Sequence, residues 1–138
     1  MKNICFAIGT GLVALVATVG CGGSDTEEEK GTPPAITDVT LDKTEIAKGA
    51  IETIKVDIAY SDAEGDVAKV FEQLTPKGGT SQAPKELALS EAAGQKEGTH
   101  ALVLQLGATQ AGEAEVAFWL VDAKGNESEK VKRTITVK

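Results

Sequence analysis

Thr53-Ile54-Lys55-Val56-Asp57-Ile58-Ala59-Tyr60 is the stretch on which the fold turns. Side chains of an extended strand alternate between two faces, so Ile54, Val56, Ile58 and Tyr60 share one face while Lys55 and Asp57 share the other. That is the pattern of a half-buried strand, and it recurs along the chain. Ile36, Val39 and Leu41 open a strand before it. Val67 to Leu74 supplies one after it, with an alternation that breaks near Ala68 and Lys69 and so predicts a bulge.

Leu87 and Leu89 mark a short strand, then Leu102, Leu104 and Leu106 share a face. Ala114, Val116, Phe118 and Leu120 alternate with Glu115, Ala117, Trp119 and Val121, and Val131, Ile135 and Val137 alternate with Lys132, Thr134 and Thr136. Turn signals separate the runs: Ala63-Glu64-Gly65-Asp66, Pro76-Lys77-Gly78-Gly79, Ala93-Gly94-Gln95 and Ala123-Lys124-Gly125-Asn126. Helical spacing is not indicated over residues 35–138. About seven strands in about one hundred residues predict an all-β, seven-stranded sandwich of the immunoglobulin-like size.

Composition narrows the function. The 138-residue chain is 25% charged with a formal charge of −7, the opposite of the basic footprint that phosphate binding needs, so no nucleic-acid partner is expected. One His and two Cys cannot build the usual zinc sites, whereas Ca²⁺ through oxygen ligands stays open. His100 shares the parity of Leu102, Leu104 and Leu106, at the rim of the inner face. There is no G-x-S-x-G elbow and no phosphate loop, so no catalytic residue is assigned and an enzyme is not expected.

The amino terminus reads differently. Lys2 precedes an uncharged run from Ile4 to Val19 that would reach about 24 Å as a helix, short of the bilayer core, and two glycines interrupt it. This is the h-region of an export signal over residues 1–20. Thr18-Val19-Gly20-Cys21 resembles the lipobox of bacterial lipoproteins, with Thr18 where that family most often has Leu.

By that resemblance Cys21 carries the lipid, a diacylglycerol on sulfur and usually a further acyl group such as palmitate on the new amine. Two or three chains hold a small domain firmly on a membrane. Cys5 leaves with the signal peptide, so the mature domain has no thiol for a disulfide. Gly22 follows Cys21 where Asp would retain a lipoprotein at the inner membrane, which favours the outer membrane of a bacterial envelope.

From Gly22 to Pro34 the chain is Gly, Ser, Thr, acidic residues and a Pro pair. Such a stretch predicts a disordered acidic tether with an r.m.s. span of about 20 Å, so residues 21–34 join the anchor to a domain over 35–138.

Two segments resemble bacterial immunoglobulin-like and cadherin-like repeats. Tyr60-Ser61-Asp62-Ala63-Glu64-Gly65-Asp66-Val67 is similar to their second turn, and Phe118-Trp119-Leu120-Val121-Asp122-Ala123-Lys124-Gly125-Asn126-Glu127-Ser128 to their penultimate strand and final hairpin. The resemblance implies a non-catalytic binding or structural module, with an envelope protein or a glycan as possible partner. It also implies that the two turns lie at one pole and that the first strand starts there. This acidic pole would then face the bilayer across the tether.

Two surface features are candidate sites. Asp62, Glu64 and Asp66 alternate as carboxylates that could face one Ca²⁺, with Asp122 and Asn126 able to join, although the glycine and the final acid of a helical calcium loop are replaced by Val67 and Gln73. The competing reading is a tight solvated turn in which Gly65 supplies a positive φ and the carboxylates cap backbone amides. Trp119 has outward parity with Ala117 and Val121. It reads either as a binding patch or as an indole covered by a neighbouring side chain.

Overall fold

Ile54, Val56, Ile58 and Tyr60 are buried on one face of strand β3 (Ile51–Ser61), as their alternation requires. Around it stand β1 (Ala35–Leu41), β2 (Glu45–Ile46), β4 (Val67–Pro76), β5 (Lys85–Ala88), β6 (Glu97–Gly107), β7 (Gly112–Asp122) and β8 (Val131–Val137), with one 3₁₀ turn at Ser90–Ala92. The computed structural model describes residues 30–138. The signal peptide expected over 1–20, Cys21 as the expected site of the lipid and residues 22–29 of the expected tether lie outside the described residues. Among the described residues no helix is long and apolar enough to cross a membrane.

The strands form two sheets, β1-β3-β6 and β2-β8-β7-β4-β5. Every pairing is antiparallel except β2 with β8. Consecutive strands cross between layers at β1–β2, β2–β3, β3–β4, β5–β6 and β6–β7, which gives the immunoglobulin-like sandwich. The sheets close on Val39, Ile54, Ile58, Val70, Leu104, Phe118, Leu120 and Ile135, all but Val39 and Leu104 excluded from solvent altogether. Full burial of each such side chain contributes about 1.5–3 kcal/mol before ordering entropy is subtracted. The described residues contain no cysteine, so this core is the main source of their stability.

The described residues form eight strands where the sequence pattern marks seven. The extra one, β2, is two residues long and pairs in parallel with β8, Glu45 opposite Thr136 and Ile46 opposite Val137. A pair of residues carries no periodicity; only the tertiary seat of Ile46, 4% exposed, defines the strand. The bulge expected near Ala68 is present, the register against β7 shifting between Val67 and Lys69. A second shift, between Ile36 and Asp38, resets the parity of β1 so that Ile36 and Val39, three apart, both pack on the core.

The β3–β4 turn, the β5–β6 loop and the β7–β8 turn share one pole. Their backbones are tied by Asp62 N–H donating to Lys96 O (2.7 Å), Gly94 N–H to Gly65 O (2.8 Å) and Ala123 N–H to Asp66 O (2.9 Å). Ala35, the first residue of β1, pairs with Ser61 at the same pole.

Candidate functional site

Asp122 stands at the end of β7 with its carboxylate turned into the β7–β8 turn, 3% exposed. Its Oδ1 accepts the N–H groups of Lys124 (2.9 Å) and Asn126 (2.8 Å), and its Oδ2 accepts Asn126 Nδ2 at 2.7 Å. Burial acts to raise its pKa, but these hydrogen bonds together outweigh burial and hold it below the ordinary carboxylate range. Asp122 is saturated by its own turn.

Asp62 is different. It is also 3% exposed, and its Oδ2 accepts Asp66 N–H at 2.7 Å, which closes the β3–β4 turn around Gly65. With both carboxylates ionised, however, Asp62 Oδ1 and Asp66 Oδ1 are buried without a donor. Burial pushes the Asp66 carboxyl up, helped by hydrogen bonding to the Asp62 carboxyl and by the charges of Asp62 and Asp122; Lys124 opposes them. A proton held on Asp66 would supply the missing donor. Tyr60, directly before the turn, is likewise raised, first by burial and then by Asp62.

The three residues of the D-x-E-x-D run therefore do not converge. Glu64 is exposed and its Oε1 accepts the N–H of Thr32 at 3.1 Å. Asn126 Nδ2 also reaches Gly31 O at 3.5 Å, so residues just before β1 lie against this pole. The two turns meet there, Asp62 and Asp66 from one and Asp122 from the other. Among the described residues no group of three or more His, Cys, Asp or Glu side chains is arranged to hold a metal ion.

Trp119 lies on the outer face of the five-stranded sheet, opposite in parity to the core residues Phe118 and Leu120, yet it is only 5% exposed. Phe71, its cross-strand partner on β4, stacks on the indole at 5.2 Å between centroids and 9° between planes. Lys130 Nζ sits 4.0 Å from the ring centroid. A side chain so covered offers little surface to a ligand. His100 pairs with Ile58 on β3 and is half-buried, at the inner-face rim.

No protein-family model and no curated protein sequence matches the chain. Solved structures do. The sporulation control protein Spo0M from Bacillus subtilis superposes with a TM-score of 0.50 at 14% identity, over 78% of this chain and 50% of that one. A PKD domain of an M14-like peptidase from Thermoplasmatales archaeon SCGC AB-540-F20 gives 0.49 at 17% identity, over 78% and 97%. The CARDB domain of a Pyrococcus furiosus protein, in complex with di-metal ions, gives 0.46 at 13%, over 77% and 86%. The likeness is one of fold.

One polar residue stands out that the strand pattern by itself did not mark. Glu72 shares the inward parity of Val70 and Leu74 on β4, and its side chain is 13% exposed. Lys85 Nζ lies 3.2 Å from Oε1, while Oε2 is buried without a partner. A charged residue at an inward position of an otherwise apolar alternation is the signal that could have found it.

Proposed function

We propose that the chain is a lipid-anchored bacterial envelope protein whose immunoglobulin-like domain is a non-catalytic binding or structural module. The observation that carries the placement is the Gly20-Cys21 junction at the end of an uncharged h-region, followed at once by a polar acidic stretch. Lipid on Cys21 would hold the domain at the membrane, with the outer membrane favoured by Gly22. Residues Gly31 and Thr32 meet the pole of Asp62, Glu64 and Asp122, which supports an orientation with that acidic end toward the bilayer. The other pole and the sheet faces are then free to meet an envelope protein or glycan.

The test is metabolic labelling with palmitate and membrane fractionation of the parent and Cys21→Ser chains. Label in the parent alone, with loss of membrane partitioning in the variant, is expected. Equal partitioning overturns the placement. Capture of a partner from membranes by the immobilised chain tests the binding role.

A second reading is a Ca²⁺-responsive adhesion-type module. Asp62 Oδ1 and Asp66 Oδ1, both buried and lacking donors, favour it, because hard cations take oxygen ligands. Asp122 is committed to its turn and Glu64 points elsewhere, so these two carboxylates would supply only part of the six to eight oxygens that Ca²⁺ usually takes. The expected result is a Ca²⁺-dependent rise in Tm that disappears in Asp62→Asn with Asp66→Asn. An unchanged Tm removes this reading.

A further inference from the structure

The free edge of β6 is built unlike the other edge of its sheet. Its eleven residues pair with β3 without a break in register, and among the described residues no strand lies on its far side. Natural sheets protect such edges with bulges, charges, proline or short strands, because unpaired N–H and C=O groups invite another chain. At the opposite edge, β1 is seven residues long, is bulged between Ile36 and Asp38, and carries Asp38 against Arg133. Beyond Glu97 at its start, β6 has none of these devices: Gly98 to Gly107 contains no Asp, Glu, Lys, Arg or Pro, and Val103 on its outer face is 52% exposed.

Beside this edge, between the two sheets, runs a groove of about 590 Å³ walled by Leu74, Leu104, Leu106 and Val116. Glu72 and Lys85 also line it, and while Lys85 Nζ holds Glu72 Oε1 at 3.2 Å, Oε2 lacks a donor. Leaving a buried carboxylate oxygen unpaired is unfavourable, so an incoming cationic N–H group is favoured at this point. A strand added to β6 would lie about 4.8 Å from it and alternate its side chains between the outer face and the groove.

We infer that the β6 edge and the Glu72 groove form a strand-addition site for an extended segment of a partner protein that turns a Lys or Arg side chain inward onto Glu72. The proposal rests on the binding-module reading and names its partner class. Charge complementarity selects the occupant: the chain is net acidic and Glu72 has an oxygen to spare. A second copy of β6 fits less well, since Gly98 to Gly107 has no Lys or Arg to offer Glu72.

The experiment uses the full chain, isotope-labelled in mild detergent. It is titrated with a capped eight-residue peptide alternating Thr and Val around one central Lys, and with a twin carrying norleucine instead. Shifts at Ala101 to Gln105 and new exchange protection at the edge-facing amides of Ala101, Val103 and Gln105 are expected, with the Lys peptide binding about tenfold tighter than its twin. Glu72→Gln should erase that preference while leaving the β3 amide shifts unchanged.

Four results of this titration overturn the proposal: no shift at β6 with either peptide, equal affinity for the two, shifts confined to another face, or the edge-facing amides of Ala101, Val103 and Gln105 already protected in the free chain. In the last case sedimentation separates a second copy from residues 1–29 as the occupant. A Glu72→Gln chain that still captures a membrane partner as well as the parent would keep the module reading and sink this one.

Discussion

Asn126 closes on Asp122 twice, through its backbone N–H to Oδ1 at 2.8 Å and through Nδ2 to Oδ2 at 2.7 Å. The pair makes the β7–β8 turn a hydrogen-bonded knot, and Asn126 Nδ2 extends it to the carbonyl of Gly31, just before β1. The acidic pole is thus held by one carboxylate with ample donors while its neighbours Asp62 and Asp66 have too few.

Removing the Asp122 carboxylate should strand the donors of Lys124 and Asn126. Asp122→Ala is expected to lose about 2–3 kcal/mol in chemical denaturation, and Asn126→Ala less, because the Lys124 N–H bond survives it. Equal losses would show that the Asn126 side chain, not the carboxylate, organises the turn.

The perturbed carboxyls of the acidic pole, Asp66 and Asp122, predict a stability maximum in mild acid, with Glu52, lowered by its hydrogen bond to Lys43, acting in the same sense as Asp122. Asp66 is raised when folded, so the native state binds its proton more tightly than the unfolded chain does; stability grows as pH falls through the folded pKa toward the unfolded value. Asp122 is lowered when folded, so its contribution is present above the unfolded pKa and is lost as pH falls further through the folded one. Thermal melts against pH should rise and then fall on acidification. Asp66→Asn should raise the Tm at neutral pH and remove the rising limb; a parent profile that only falls on acidification would contradict the Asp66 assignment.

Trp119 is expected to behave as a packing residue. Trp119→Ala should lose about 3–5 kcal/mol, Phe71→Ala should weaken the stack, and Lys130→Ala should cost about 0.5–1 kcal/mol. Native indole emission should be blue-shifted and shift red on unfolding. A Trp119→Ala chain of unchanged stability that no longer captures its partner would instead make the indole a recognition residue.

Gly65 and Gly125 separate two reasons for glycine in a turn. Both have positive φ, +71° and +85°, but a Cβ on Gly65 would meet the Gly94 backbone at 3.2 Å whereas Gly125 faces open space. Gly125→Ala should cost about 1–2 kcal/mol from the left-handed conformation alone. Gly65→Ala should cost more, with loss of exchange protection at Gly94 N–H, which donates to Gly65 O.

Much of the candidate site could be placed from residue order, and its chemistry could not. The pairing of the Asp62 and Asp122 turns at one pole follows once the strands are arranged as a sandwich. Which carboxylate finds donors does not, because Asp122 depends on a turn that folds back four residues and Asp62 on a neighbour that brings one N–H and a second negative charge.

Parity along each strand was legible in the chain itself, since alternation is a property of consecutive residues: it placed Ile54, Val56, Ile58 and Tyr60, and Val116, Phe118 and Leu120, inward and located the bulge near Ala68 and Lys69. The seat of Ile46 against β8, the cover that Phe71 and Lys130 lay over Trp119, and the open edge of β6 beside Glu72 were decided only by tertiary structure. Each depends on which strand becomes a neighbour across tens of residues, and packing between distant segments has no period for a linear pattern to carry.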